Sequence, residues 1–133
     1  MVYTVSDVNV TVPQRVQVVM IVDGIYEIPS KYFANCCELK HVILPDSIKI
    51  IGNFTFDNRR KLEMITLPSN LYSIGKGCFR NCVKLKMMFL PSNLHYVYTM
   101  YKIGACQFTS TSYMYTIFCI LSMFLTKINY HSK

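Results

Sequence analysis

The sequence predicts a β-rich solenoid of short parallel strands, one on each 23-residue rung, followed by a C-terminal apolar segment whose structure the pattern leaves open. Three observations predict it. Pro45, Pro68 and Pro91 recur at one fixed step, and apolar side chains recur with them in matching columns. Ahead of each proline lies a brief stretch of period-two alternation, the pattern of a half-buried strand. The chain has 133 residues, 52% hydrophobic and 16% charged, which suits one folded domain and is too apolar for a disordered chain.

Residues 1–15 read as a capping strand or arm. Val8, Val10 and Val12 alternate with Asn9 and Thr11, as a strand would, and the open end of a solenoid is an exposed edge that needs cover. Residues 16–97 form the solenoid. Segment 16–22 followed by Asp23-Gly24-Ile25 aligns with 39–48 and supplies a half-repeat, a strand without a preceding bend. Full rungs follow, with Ile28, Ile51, Ile74 and Val97 in one column and Phe33, Phe56 and Phe79 in another. Further columns hold Asn35, Asn58 and Asn81; Leu39, Leu62 and Leu85; Val42, Ile65 and Met88; and Leu44, Leu67 and Leu90. One such unit cannot bury its own apolar face, so the rungs must stack. Proline closes each strand, where a missing N–H costs least. Asp46-Ser47, Ser69-Asn70 and Ser92-Asn93 supply turn chemistry, and Gly52 and Gly75 are expected to serve a backbone bend that other residues resist. The arrangement is that of a leucine-rich-repeat solenoid.

After residue 97 the period fails, and residues 98–133 read as a degenerate tail, apolar over 113–125. This run admits three readings: a cap on the last rung, an undesigned continuation of a truncated or frame-shifted repeat protein, or a membrane anchor. It falls short of the ~20 apolar residues that span the hydrocarbon core, so membrane contact through 113–125 is not favoured.

The same columns weaken the chemical readings. Cys36, Cys37, His41, Cys78 and Cys82 lack the spacing of paired zinc ligands, and buried Cys serves well as a small apolar filler. Cys36 and Cys82 share a column two rungs apart, with Arg59 between them, which is too far for a disulfide at the ~4.8 Å spacing of neighbouring strands. Cys78 and Cys82 lie within one unit, and nothing requires them to pair. His41, His95 and His131 are the only histidines, and no HExxH, GxSxG or phosphate loop accompanies them. No catalytic residue, metal or cofactor is expected. The net charge of +7 includes Arg59-Arg60-Lys61, Lys84 and Lys86, read as a solvated loop face and not as a specific nucleic-acid site. Column arithmetic sets Glu63 between Lys40 and Lys86, and Glu38 beside Lys61. Two sequons, at Asn9 and Asn53, matter only after export.

If Val42 and Leu44 point inward, His41 and Ile43 point outward, and the column rule adds Val18, Met20, Met64, Thr66, Met87 and Phe89. That outer face is apolar and is the candidate surface for a protein or surface ligand.

Two stretches carry a family resemblance. Ile50-Ile-Gly-Asn-Phe-Thr-Phe56 with Lys61-Leu-Glu-Met-Ile-Thr-Leu-Pro68, and Ile74-Gly-Lys-Gly-Cys-Phe-Arg-Asn-Cys82 with Leu85-Lys-Met-Met-Phe-Leu-Pro91, resemble the BspA-type leucine-rich repeat. The resemblance implies a non-catalytic binding protein of adhesion or surface-antigen type, displayed at a cell surface. The N-terminus has neither the basic start nor the apolar stretch of a signal peptide, which favours the cytoplasm for the chain as given.

Overall fold

The structure is a computed structural model. It describes residues 1–85 in full and, beyond them, the backbone of strands 87–89, 96–97 and 107–109. The sequence predictions for 113–125 lie outside the described residues.

Ten short strands form two parallel sheets. The larger contains β1 (Val2–Val5), β2 (Val18–Ile21), β4 (His41–Ile43), β6 (Met64–Thr66), β8 (Met87–Phe89) and β10 (Gln107–Thr109), in that spatial order. The smaller contains β3 (Glu27–Ile28), β5 (Ile50–Ile51), β7 (Ser73–Ile74) and β9 (Tyr96–Val97). The four rungs from β2 to β9 thus give one strand to each sheet, and β1 and β10 extend the larger sheet at its two ends. Val19 aligns with Val42 and Val42 with Ile65, while Ile28 aligns with Ile51 and Ile51 with Ile74. From β2 to β9 the 23-residue step of the sequence is the step between neighbouring strands.

The interior is the set of repeat columns. Phe33, Phe56 and Phe79 form one pile, with ring centroids 5.1 and 5.4 Å apart and planes tilted by only 14° and 3°. Ile28, Ile51 and Ile74, and Leu39, Leu62 and Leu85, are buried beside them. Identical side chains repeated at one height make a dry column that neither neighbour could form alone. The corners between strands close with turn bonds, in which Arg59 N–H donates to Phe56 O and Leu62 N–H to Arg59 O, and the flanking rungs repeat both bonds. Asn58 and Asn81 adopt positive φ there, a conformation Asn tolerates better than most residues.

Two expectations need correction. Gly52 and Gly75 do not serve a special φ. A Cβ on Gly52 would lie 2.5 Å from the backbone N of Ser30, and one on Gly75 would lie 2.6 Å from the backbone N of Asn53. They are glycines because adjacent rungs touch there. Besides Asn58 and Asn81, positive φ recurs at Lys31, Phe54 and Gly77, one residue per rung in a shared column.

The strand at the N-terminal end is Val2–Val5, while Val8 and Val10 lie in a turn and Val12 follows it, outside any strand. Asp7 holds that turn by accepting bonds from the backbone and side-chain amides of Asn9 at 2.8 and 2.9 Å. Val12 is still buried, and the Tyr32 hydroxyl donates to Val10 O at 2.8 Å, so the turn leans on the first rung. Of the three alternating valines only Val12 enters the core, and Val10 is half exposed, so the alternation reflects neither a strand nor a buried face.

Candidate interaction surface

Backbone bonds within the larger sheet set which side chains face out. Lys40 and His41 N–H both donate to Gln17 O, and Glu63 and Met64 N–H both donate to Lys40 O. Val19, Val42 and Ile65 are thereby turned inward and buried. Their neighbours must face the other way. Met20, Ile43 and Met64 are 44%, 40% and 47% exposed, Thr66 is exposed, and Val18 and His41 are half-buried. Register places them in two rows. Val18, His41, Met64 and Met87 form one, and Met20, Ile43 and Thr66 form the other. Met87 and Phe89 belong to β8, and their side chains lie outside the described residues.

The surface also holds residues that the sequence reading missed. β1 pairs with β2 so that Val2 stands beside Val18 and Thr4 beside Met20. Val2 is 62% exposed and prolongs the first row. The signal was available in Val2-Tyr-Thr-Val5, a run of β-branched and aromatic residues, but it lies only 16 positions ahead of β2 and so falls off the 23-residue columns.

Charge is arranged differently from the column arithmetic at one point. Lys61 Nζ does meet Glu38 Oε2 at 2.7 Å, and the ammonium holds the Glu38 carboxyl below its ordinary range. Glu63, however, lies 3.8 Å from His41 Nε2, on the outer face of the sheet, instead of pairing with Lys40. A further pair has no counterpart in the column arithmetic: the guanidinium of Arg80 grips Asp57 through Nε at 2.9 Å and Nη2 at 2.7 Å while stacking 5.2 Å from the Phe54 ring centre.

Cys36, Cys78 and Cys82 are buried, and Cys37 is exposed. Burial pushes the thiols of Cys36 and Cys78 up, which leaves them weak nucleophiles. Arg59 departs from its expected place. It is only 7% exposed, buried in the column of Cys36 and Cys82 and not on a solvated loop. Among the described residues no three His, Cys, Asp or Glu side chains converge as a metal centre would require, and no helix is long and apolar enough to cross a membrane.

Stacked parallel strands, one apolar column per position and an outward row left uncovered define the leucine-rich-repeat class. Comparison of the sequence narrows the class. A profile of the BspA type leucine rich repeat region matches residues 14–130 in six copies, and the chain belongs to that family. The match runs past residue 97, and β10 pairs in register with β8, Gln107 beside Met87. Residue 97 therefore marks the loss of the 23-residue period and not the end of the sheet. A solved leucine-rich repeat protein from Bacteroides ovatus is similar at 28% identity and a TM-score of 0.63, covering 69% of this chain and 26% of that one. The T. pallidum leucine rich repeat protein TpLRR is similar at 27% identity and a TM-score of 0.60, covering 70% of this chain and 51% of its own. The chain thus spans about a quarter and about half the length of these two proteins. No protein of curated function matches the sequence.

Proposed function

We propose that the chain is a non-catalytic protein-interaction module, of the adhesion or surface-antigen type its family suggests, that engages its partner with the outer face of the larger sheet. Val18, Met20, His41, Ile43, Met64, Thr66, Met87 and Phe89 form the contact, with Val2 extending it. The supporting observation is the row of exposed apolar side chains held in register by parallel strands. Apolar surface that the core does not use marks an interaction site more often than ordinary surface does. Methionines at two levels, Met20 and Met64, adapt their shape to a partner at little cost. A rigid backbone beneath them means that little order has to be gained on binding.

The test pairs a face variant with a control. Affinity capture with the wild-type chain is compared with capture by the double variant Ile43→Asp, Met64→Asp and by the loop variant Arg60→Gln. A partner retained by wild type and by Arg60→Gln but lost from the double variant, at unchanged melting temperature, is the expected result. A partner bound equally by all three places the contact elsewhere on the solenoid.

A further inference from the structure

On the Phe-x-Asn-Cys side of the solenoid, away from the strand rows, an open groove of about 360 Å³ is lined by Lys31, Phe54, Asp57, Asn58, Arg59 and Arg80. We propose that this groove binds a small molecule through a single oxyanion group, a carboxylate, sulfate or phosphate, with Arg59 as its principal ligand.

The fold does not need a guanidinium at position 59. In the rungs on either side, the position of Arg59 is filled by Cys36 and Cys82, both buried and uncharged. A small apolar filler therefore satisfies the column, and the guanidinium is additional. Burying a cation is costly unless it is paired and fully bonded. Arg59 has only two partners among the described residues: Nε donates to Asp57 O at 3.0 Å, and Nη1 makes a long 3.7 Å contact with Cys37 Sγ. No carboxylate pairs with it among those residues. A guanidinium offers five N–H donors in a planar fork, so most of the fork remains available.

The neighbours complete the site. Arg80 spends Nε and Nη2 on Asp57, which neutralises the one carboxylate of the lining and holds the guanidinium still. Its stacking on Phe54 adds to that rigidity. Asn58 accepts through Oδ1 from Asn81 Nδ2 at 2.8 Å, which leaves the Asn58 amide N–H groups as donors. Lys31 forms no ion pair among the described residues. Three cations against one engaged carboxylate leave two positive charges unmatched in a lining whose free polar groups are donors. Such a set is complementary to an oxyanion, which only accepts, and Arg is well shaped for planar or tetrahedral oxygen groups. The volume is that of a small-molecule cleft.

The test follows the Arg59 Nε–H resonance of the full chain during titration with sodium sulfate, phosphate and acetate, against sodium chloride at matched ionic strength. A saturable shift with at least one oxyanion, absent with chloride, is expected, and the three salts separate tetrahedral from carboxylate preference. In Arg59→Cys, the residue of the neighbouring rungs, affinity followed on Asn58 Nδ2 should fall about tenfold or more, the worth of one charge-assisted hydrogen bond. Lys31→Asn, which keeps a residue suited to positive φ at an exposed position, should weaken binding severalfold with no effect on folding, and it carries the test if Arg59→Cys does not fold. Arg60→Gln should bind as wild type does. Shifts that match chloride, or equal affinity in Arg59→Cys or Lys31→Asn, would overturn the assignment.

Discussion

The strand side and the corner side of the solenoid hold the same rungs together by different means. On the strand side, the backbone ladder connects level to level, and the outward side chains take almost no part in it. On the corner side, side chains make many of the rung-to-rung bonds. Ser30 Oγ accepts from Asn53 N–H at 3.0 Å, Asn53 Oδ1 accepts from Lys76 N–H at 2.8 Å, and Asn81 donates to Asn58. Asp57 and Arg80 bridge the same two levels. Where irregular backbone turns away from a sheet, its polar groups still need partners, and side chains supply them. The lesson concerns availability. Corner side chains are largely consumed by the fold, so the unspent donors of Arg59 and Asn58 stand out, whereas on the outer face of the sheet Met20, Ile43 and Met64 remain exposed.

Mutations can break or sharpen this contrast. The largest loss is expected at the shared interior: Phe56→Ala removes the middle ring of the pile and should cost ~3–5 kcal/mol in denaturant unfolding. Gly75→Ala comes next. Its Cβ would meet the backbone of the rung below, which cannot swing aside as a side chain can, and a cost of ~1–3 kcal/mol is expected from the forced shift. A smaller effect belongs to the Glu38–Lys61 bridge. The folded-state pKa of Glu38 lies below its ordinary 4.5, so the bridge stabilises above that value and is lost as pH falls through the lowered one. Glu38→Gln should therefore lower the melting temperature slightly at neutral pH and leave it unchanged in strong acid. The smallest effect is expected at Met64→Ser, within ~0.5 kcal/mol of wild type, because the side chain is half exposed and unpartnered by the core. A loss at Met64 matching that at Phe56 would show that the outer row is structural and not a free surface.

Much of this was legible in the order of residues, for a specific reason. In a solenoid the nearest neighbour in space is the residue one period away, so identity columns report contacts directly. The Phe33–Phe56–Phe79 pile and the Lys61–Glu38 bridge followed from arithmetic alone. The errors share a cause as well. Val2–Val5 was missed because the first strand step is 16 residues long, and β10 because the last is 20, so neither fell on a column. Gly75 was assigned to a bend because glycine has two uses, backbone freedom and backbone proximity, and residue type does not separate them. The sequence points Arg59 to a solvated loop because its neighbours, Arg60 and Lys61, are charged, and charge alone does not show which side chain of a run turns inward.

By itself, the amino-acid order determined the period, the inward columns and the alternation that leaves Met20, Ile43 and Met64 outside, since side-chain direction in a strand follows from parity. Tertiary structure alone decided how closely the rungs approach at Gly52 and Gly75, which partner each charge takes, and that Arg59 is buried beside a groove. Those outcomes depend on distances across levels and on which bonds are already spent, and neither quantity is written along a single rung.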